Sequence, residues 1–362
     1  MTVKKTPLNN IHKQAGGRMI EFAGWELPVQ YKSAMEEHLA VRENVGVFDV
    51  SHMGQIEISG PEALAFAQKV TCNDISKISN GQAQYSAFLT PQGTFIDDIV
   101  VYRFSEERIF ICVNAATKDK DYDWLCAQND LGAGIEDLSD SFAQIAVQGP
   151  RALETLQSLT ATDLGAIRPF RFTELTLAGF PMMLSRTGYT GENGYELYLP
   201  PACAEAVWKT IFASGDEYGI RPAGLAARNT LRLEACYCLY GNDIDEEHTP
   251  LEARLGWIVK FGKEFIGKEA LLKQKEDGIS RRLSGFEMIE PGIARDGFGV
   301  LIDGKAVSRV SSGCFSPSLK KSIGLTYLPV DRSNPGQEIT IDIRGKQRLA
   351  QVVETPFYKR PK

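Results

Sequence analysis

Gln55–Val70 reads QIEISGPEALAFAQKV, and Gln144–Leu159 reads QIAVQGPRALETLQSL. In each, a segment suited to a strand, Gln55–Ser59 or Gln144–Gln148, runs into Gly-Pro, and the proline opens a helix. Further strands are expected after the first stretch at Gln84–Leu89, Ile96–Arg103 and Arg108–Val113, with the turn residues Pro91, Gln92 and Gly93 between two of them. After the second, Glu174–Leu177, Met182–Ser185 and Tyr195–Leu199 read as strands and Cys203–Ala213 as a helix. The shared order of elements, not a residue repeat, points to two α+β modules of similar build. Upstream, Ser33–Asn44 carries a capping-box start, Ser33 followed three residues on by Glu36. Downstream come a helix over Ala223–Cys236, an acidic loop over Gly241–His248 and a short helix over Gly267–Gln274. From Arg282 onward short strands alternate with Gly, Pro and Asp turns, the pattern of a small β-barrel or sandwich.

A chain of 362 residues is long enough for two or three domains, and 43% hydrophobic with 24% charged residues is a globular balance. With 40 basic against 46 acidic residues, the net charge of −6 argues against a dedicated nucleic-acid binder. The charge is uneven. Residues 281–362 hold 14 Lys and Arg against 8 Asp and Glu, a local +6, which leaves −12 on the rest. No apolar run reaches the roughly 18 residues that cross a bilayer, so no membrane association is expected. The start, MTVKKTPLNNIHKQ, has no apolar segment after its charges and does not suggest a signal peptide. Seven scattered cysteines, mostly within apolar stretches, suit a cytoplasmic chain with buried thiols better than a disulfide framework. There is no CxxC or HExxH, and Cys236 and Cys238 are too close-set to make a zinc site alone, so no metal is expected.

Four segments carry chemistry. Asp97 and Asp98 interrupt an apolar strand; alternation sends them to opposite faces, one toward solvent and one inward, where a carboxylate needs a partner. A strand-end pair, with one member capping backbone, is the competing reading. Arg186–Leu197, RTGYTGENGYEL, spaces Gly188, Gly191 and Gly194 by three without forming a dinucleotide or P-loop fingerprint. Its glycines permit close backbone approach to a flat ligand, or simply make a hairpin loop with Tyr195 and Leu197 in the core. Arg228 and Arg232 share a helix face, and each needs an anion if buried: a ligand carboxylate for one, Glu234 or a loop Asp for the other. An internal salt-bridge helix accounts for them equally well. Asp49, Ser51 and His52 are too close in sequence to form a hydrolase triad, and a structural turn with a satisfied His52 is expected instead.

Taken in order, Met19–Pro28 (MIEFAGWELP), Phe48–Gly54 (FDVSHMG), Asn73–Ile75, Ile96–Asp98, Val113–Ala115, Gln148–Pro150, Arg186–Leu197, Arg221–Leu225, Leu231–Ala235, Leu239–Asp245, Phe265–Ala270, Ser312–Pro317 and Pro356–Tyr358 resemble the T protein of the glycine cleavage system, an aminomethyltransferase family. The resemblance runs from end to end. It implies an α+β cloverleaf: two ferredoxin-like α+β modules and a C-terminal β-barrel around a central tetrahydrofolate site. The implied domains are 1–54 with 137–275, an inserted 55–136, and 276–362. The implied reaction moves a methylene group from aminomethyl-dihydrolipoyl H protein to tetrahydrofolate and releases ammonia. Asp98 matches the essential carboxylate, Glu196 the acceptor for the pterin's amino edge, and Arg228 the arginine near the folate carboxylates. Tyr85, Tyr102, Tyr189 and Tyr237 match aromatic positions of the folate pocket, with Met53 and Asn114 beside them. Two departures are visible: Ala226-Ala227-Arg228-Asn229 stands where Gly-Ala-Arg-Asp is common, and Glu21 where Asp is common.

Related enzymes of the same fold take a methyl group from a small sulfonium or N-methylated donor, but Tyr240–Asp245 and the C-terminal segments favour the T protein. Folate-binding iron–sulfur maintenance relatives carry a Lys-Gly-Cys-type signature where this chain has Leu239-Tyr240-Gly241-Asn242-Asp243. The family reading also gives the basic last quarter a use, steering an acidic carrier protein toward the lipoyl entrance.

Overall fold

Gly60 and Gly149 both take positive φ, 94° and 132°, which is why glycine stands where each strand turns into its helix. The helices begin slightly after the prolines, at Ala63–Val70 and Ala152–Gln157. These assignments come from a computed structural model that describes residues 3–360; the first two residues of the N-terminal stretch, and Pro361 and Lys362 of the basic quarter, lie outside the described residues.

The protein is mixed α+β with a closed C-terminal barrel. It divides into two compact units: residues 3–70, 74–85 and 99–229 form one; residues 71–73, 86–98 and 230–360 form the other. The first unit is built on a six-stranded sheet in the order Phe172–Leu177, Phe180–Ser185, Gly194–Leu199, Ala143–Gln148, Gly46–Asp49 and Arg221–Pro222. Its central pairing sets Gln144 opposite Tyr198, Ile145 opposite Leu197 and Ala146 opposite Glu196. Strand alternation then separates two faces. Ile145, Val147, Leu184, Leu197 and Leu199 join Leu156, Val207, Trp208 and Ile211 of the helices Ala152–Gln157 and Ala204–Gly215 in one core. Each such buried aliphatic side chain contributes about 1.5–3 kcal/mol of transfer free energy. The opposite face puts Met183 and Tyr198 into a second cluster with Ala83, Tyr102, Phe110, Cys112 and Phe172.

The five-stranded sheet runs Gln82–Leu89, Phe95–Arg103, Arg108–Val113, Gly54–Ser59 and Gly134–Asp137. Its first two strands form a hairpin whose far half, Ser86–Asp98, belongs to the second unit. A small sheet of Lys4–Lys5, Trp25–Gln30 and Arg18–Phe22 and a helix over Asn9–Gln14 complete the N-terminal segment. Neither they nor the helix Lys118–Gln128 are apparent from periodicity. In KDKDYDWLCAQ only Asp121 and Leu125 are buried, so there is no apolar stripe to read.

The capping box is real at its serine: Ser33 Oγ accepts from the Glu36 N–H at the start of the helix Ala34–Glu43. In the second unit six antiparallel strands, Arg281–Met288, Lys321–Pro329, Lys305–Ser316, Gly299–Ile302, Glu338–Ile343 and Lys346–Val353, close into a barrel. Closure removes the open edges a sheet of short strands would otherwise expose. Phe286, Val300, Val310, Ile339, Ile341 and Val352 fill its interior. No helix among the described residues is long and apolar enough to cross a membrane.

Candidate functional site

The polar centre of the first unit lies where the six-stranded sheet presents Gln144, Glu196 and Tyr198. Glu196 is buried, and its carboxylate accepts from Thr187 Oγ1 at 2.5 Å on Oε2 and from Gln144 Nε2 at 3.3 Å on Oε1. Burial raises the Glu196 pKa above the ordinary carboxylate range; the Thr187 bond, the Arg228 charge and the Gln144 bond oppose that rise. Gln144 also donates to Tyr198 Oη at 3.1 Å, while Tyr198 and Tyr102 share a hydroxyl–hydroxyl bond of 2.9 Å. Tyr102 is wholly buried, and desolvation holds its hydroxyl protonated.

Thr187 and Tyr189 sit on the glycine-rich loop, and a neighbouring amide explains two of its glycines. A Cβ on Gly188 or on Gly194 would overlap the side-chain amide of Gln148. Gln148 in turn donates to Thr187 O and accepts from Thr190 Oγ1. A buried ion pair, Arg42 with Glu192 at 2.9 Å, fixes the far side of the loop, and Arg42 also donates to Thr190 O. The loop is thus a hairpin connection with Tyr195 and Leu197 in the core, held by Gln148 and Arg42. It presents Tyr189 under the Arg228 guanidinium, 4.7 Å from the ring centroid.

Arg228 lies on the helix Leu225–Glu234. Its companion Arg232 is buried and ion-paired with Asp243 at 2.5 Å, with a second bond to Ser312 Oγ at 2.7 Å. The loop aspartate therefore satisfies Arg232, one of the alternatives open from sequence. Glu234 accepts instead from Ser316 and Ser318.

The FDVSHMG turn corrects one expectation. His52 is buried, its Nδ1 has no hydrogen-bond partner, and Phe22 packs edge-on against its ring at 5.9 Å. Desolvation, with the Arg228 charge second, pushes its pKa down to about 4. The histidine is kept neutral rather than satisfied. Asp49 does find partners: His12 Nε2 at 2.8 Å and the Ser51 N–H at 3.0 Å. Met53 follows on the same turn, packed against the Tyr102–Tyr198 cluster.

Of the remaining candidates, Tyr85 is half-buried on the strand Gln82–Leu89, and Asn114 directly follows Arg108–Val113. Asp97 and Asp98 occupy opposite faces of Phe95–Arg103: Asp97 is 0% exposed and Asp98 half-buried. Asp98 and Tyr237 belong to the second unit, where the Asp98 charge helps raise the Cys238 pKa after the larger effects of burial and Asp243. Tyr237 is 41% exposed just beyond the helix end. The first unit thus joins Met53, Tyr102, Tyr189, Glu196 and Arg228 through shared contacts. Gln144, Thr187 and Tyr198 were missed from sequence. Their one visible signal is glutamine at positions 144 and 148 of an otherwise apolar strand, AQIAVQ. All seven cysteines are free, four of them buried, and no cluster of three or more metal-ligating side chains occurs among the described residues.

Residues 8–263 match the family described as GCVT N-terminal domain, and residues 281–359 match the glycine cleavage T-protein C-terminal barrel domain. The chain belongs to the glycine cleavage T-protein family. Its similarity to other T proteins is full-length. An aminomethyltransferase of Desulforamulus reducens is 48% identical over 359 residues, covering 99% of each chain. One of Bacteroides thetaiotaomicron is 47% identical over 361 residues, covering 99% of this chain and 100% of the relative. In three dimensions the fold is similar to the crystal structure of glycine cleavage system aminomethyltransferase T from Bartonella henselae, with TM-score 0.93, 32% identity and 99% of both chains covered. The late barrel, whose strands run from Arg281 to Val353, falls within the second family segment.

Proposed function

We propose that this T-protein family member is the tetrahydrofolate-dependent aminomethyltransferase of its glycine cleavage system. It takes the methylene of aminomethyl-dihydrolipoyl H protein to tetrahydrofolate and releases ammonia. The observation that carries the reading is similarity to aminomethyltransferases over 99% of the chain. In the reaction the methylene carbon parts from sulfur and from its amine nitrogen, and two bonds to folate nitrogens replace them. The two folate N–H protons are accounted for by the thiol and the ammonia.

The residues divide this work. A buried carboxylate that already receives two donors, Glu196, suits a planar heterocycle's N–H edge, because its remaining lone pairs still require partners. Tyr189 and Arg228 offer a stacked ring and a cation for the folate's aromatic and carboxylate portions. We assign Tyr85, Tyr237, Met53 and Asn114 to folate binding, as the family resemblance implies, and Tyr102 supports Tyr198 from within. Asp98 stabilises the positive charge that develops as ammonia departs, a role suited to a half-buried carboxylate. No metal enters the reaction.

Three sheets drawn from 46–49 with 143–222, from 54–137, and from 281–353 support the division into domains 1–54 with 137–275, 55–136 and 276–362. We assign the enzyme to the cytoplasm, with lipoylated H protein as its partner and with no nucleic acid or membrane involved. The test is direct. Purified chain, aminomethyl-loaded H protein and tetrahydrofolate together should yield methylenetetrahydrofolate and ammonia; no folate-dependent ammonia release would refute the assignment. Sulfonium and N-methyl donors, supplied with folate in place of H protein, should give no product.

A further inference from the structure

We propose that Gln144 is a positioning residue: its side-chain amide, locked by Gln55 and Cys112, holds the Glu196 carboxylate in one orientation as an acceptor. This rests on the reading of Glu196 as the group that receives the pterin's amino edge.

The geometry leaves the amide no freedom. Gln144 Oε1 accepts from Gln55 Nε2 at 3.1 Å and from Cys112 Sγ at 3.8 Å, so Nε2 must be the atom that faces Glu196 and Tyr198. Flipping the amide would set its oxygen against a carboxylate oxygen and its nitrogen against another N–H. Its main chain is held as well. Gln144 N donates to Ser51 Oγ at 3.0 Å, and Gln144 O accepts from the Val50 N–H at 2.9 Å.

The bonds converge on one carboxylate. One Gln144 N–H goes to Tyr198 Oη, which frees the Tyr198 hydroxyl to donate to Tyr102. Separately, Thr187 donates to Glu196 Oε2. The second Gln144 N–H reaches Glu196 Oε1, so donors arrive at both carboxylate oxygens, one from this amide and one from Thr187. This arrangement needs Glu196 to accept twice, which only the ionised form does at both oxygens. A protonated Glu196 would instead donate to Thr187, whose hydroxyl has an alternative acceptor in Ser185 Oγ at 3.0 Å. The titratable and charged groups around this carboxylate are Arg228, Tyr102, Tyr198 and Cys112. Of these only Arg228 carries charge at neutral pH, so the amide and hydroxyl donors govern how the carboxylate behaves as pH falls.

The experiment uses the full chain with Gln144→Met, which keeps volume and removes the amide. Tetrahydrofolate affinity, read by fluorescence titration, should weaken about tenfold. Its acid limb should move to higher pH, while kcat at saturating folate changes less than KM. Thr187→Val should shift the same way and Thr187→Ser should rescue it. Gln55→Leu removes only the group that orients the amide, so its smaller shift reads the inference even where Gln144→Met does not fold. Without folate, the Glu196 carboxyl titration, followed by carbon-13 NMR, should move to higher pH in Gln144→Met. An unchanged titration with unchanged affinity overturns the proposal. A shifted titration in a protein whose wild type binds no tetrahydrofolate would keep Gln144 as the positioning residue and remove the folate reading.

Discussion

At the scale of single residues, the assignments separate by what each side chain touches. Asp98 is half-buried in a strand whose other positions are mostly apolar, a setting in which a carboxylate's charge is poorly screened. Asp98→Asn keeps the shape and loses the charge. Its turnover should fall at least about 100-fold while tetrahydrofolate affinity changes little, as expected for a group felt mainly in the transition state. Steady-state ammonia release and folate titration together check this, and unchanged turnover would remove Asp98 from its role. His52 has a different signature. Its folded pKa of about 4 lies below the ordinary value of about 6.5 for an unfolded histidine. Between those values the unfolded chain binds a proton that the folded chain refuses, so stability falls as pH drops from about 6.5 toward 4. His52→Gln should reduce the stability difference between pH 7 and pH 4.5 by about 2 kcal/mol in urea denaturation. An identical pH dependence in the variant would show that His52 is not the group responsible.

At the scale of elements, the glycine-rich loop depends on a strand it does not pair with at its tip. Gly188 and Gly194 clear the Gln148 amide, and Arg42 anchors Glu192 and Thr190. Gly194→Ala must displace either Gln148 or the loop, and with the loop go Thr187 and Tyr189. The expected result is a destabilisation of about 1–3 kcal/mol by thermal or chemical denaturation, with weaker folate binding in the fraction that folds. A fully stable Gly194→Ala with normal affinity would mean that the loop accommodates the methyl without moving its functional side chains.

At the scale of the whole molecule, the basic last quarter is where steering of an acidic carrier can be tested. Arg281 and Lys321 spend their charge inside the chain, on Glu252 and Glu287 at 2.9 and 2.6 Å. Reversing them would confound docking with folding. Lys305, Arg309 and Lys320 are exposed and better report on steering. Reversing these three should raise the apparent KM for H protein at low salt several-fold, leave the folate KM unchanged, and flatten the dependence on ionic strength. Equal H-protein KM values in the two proteins at low salt would rule out steering by this face.

Local sequence carried much of the architecture. The strands beside both Gly-Pro starts, the helix capped by Ser33 and the all-β segment after Arg282 all follow from alternation, capping and turn chemistry, which act between near neighbours. The ordered motifs did the same for the family. The N-terminal sheet and the helix Lys118–Gln128 did not announce themselves, because few of their side chains face a core. Only the fold decided that Arg232 takes Asp243 as its anion, that His52 is buried without a partner at Nδ1, and that Gln148 accounts for two of the loop's glycines. It alone brought Gln144, Thr187, Tyr198 and Tyr102 around Glu196. Those contacts join strands up to 96 residues apart, and hydrogen-bond partners at that separation are chosen by sheet register and by the packing of one sheet against another rather than by any spacing a linear pattern contains.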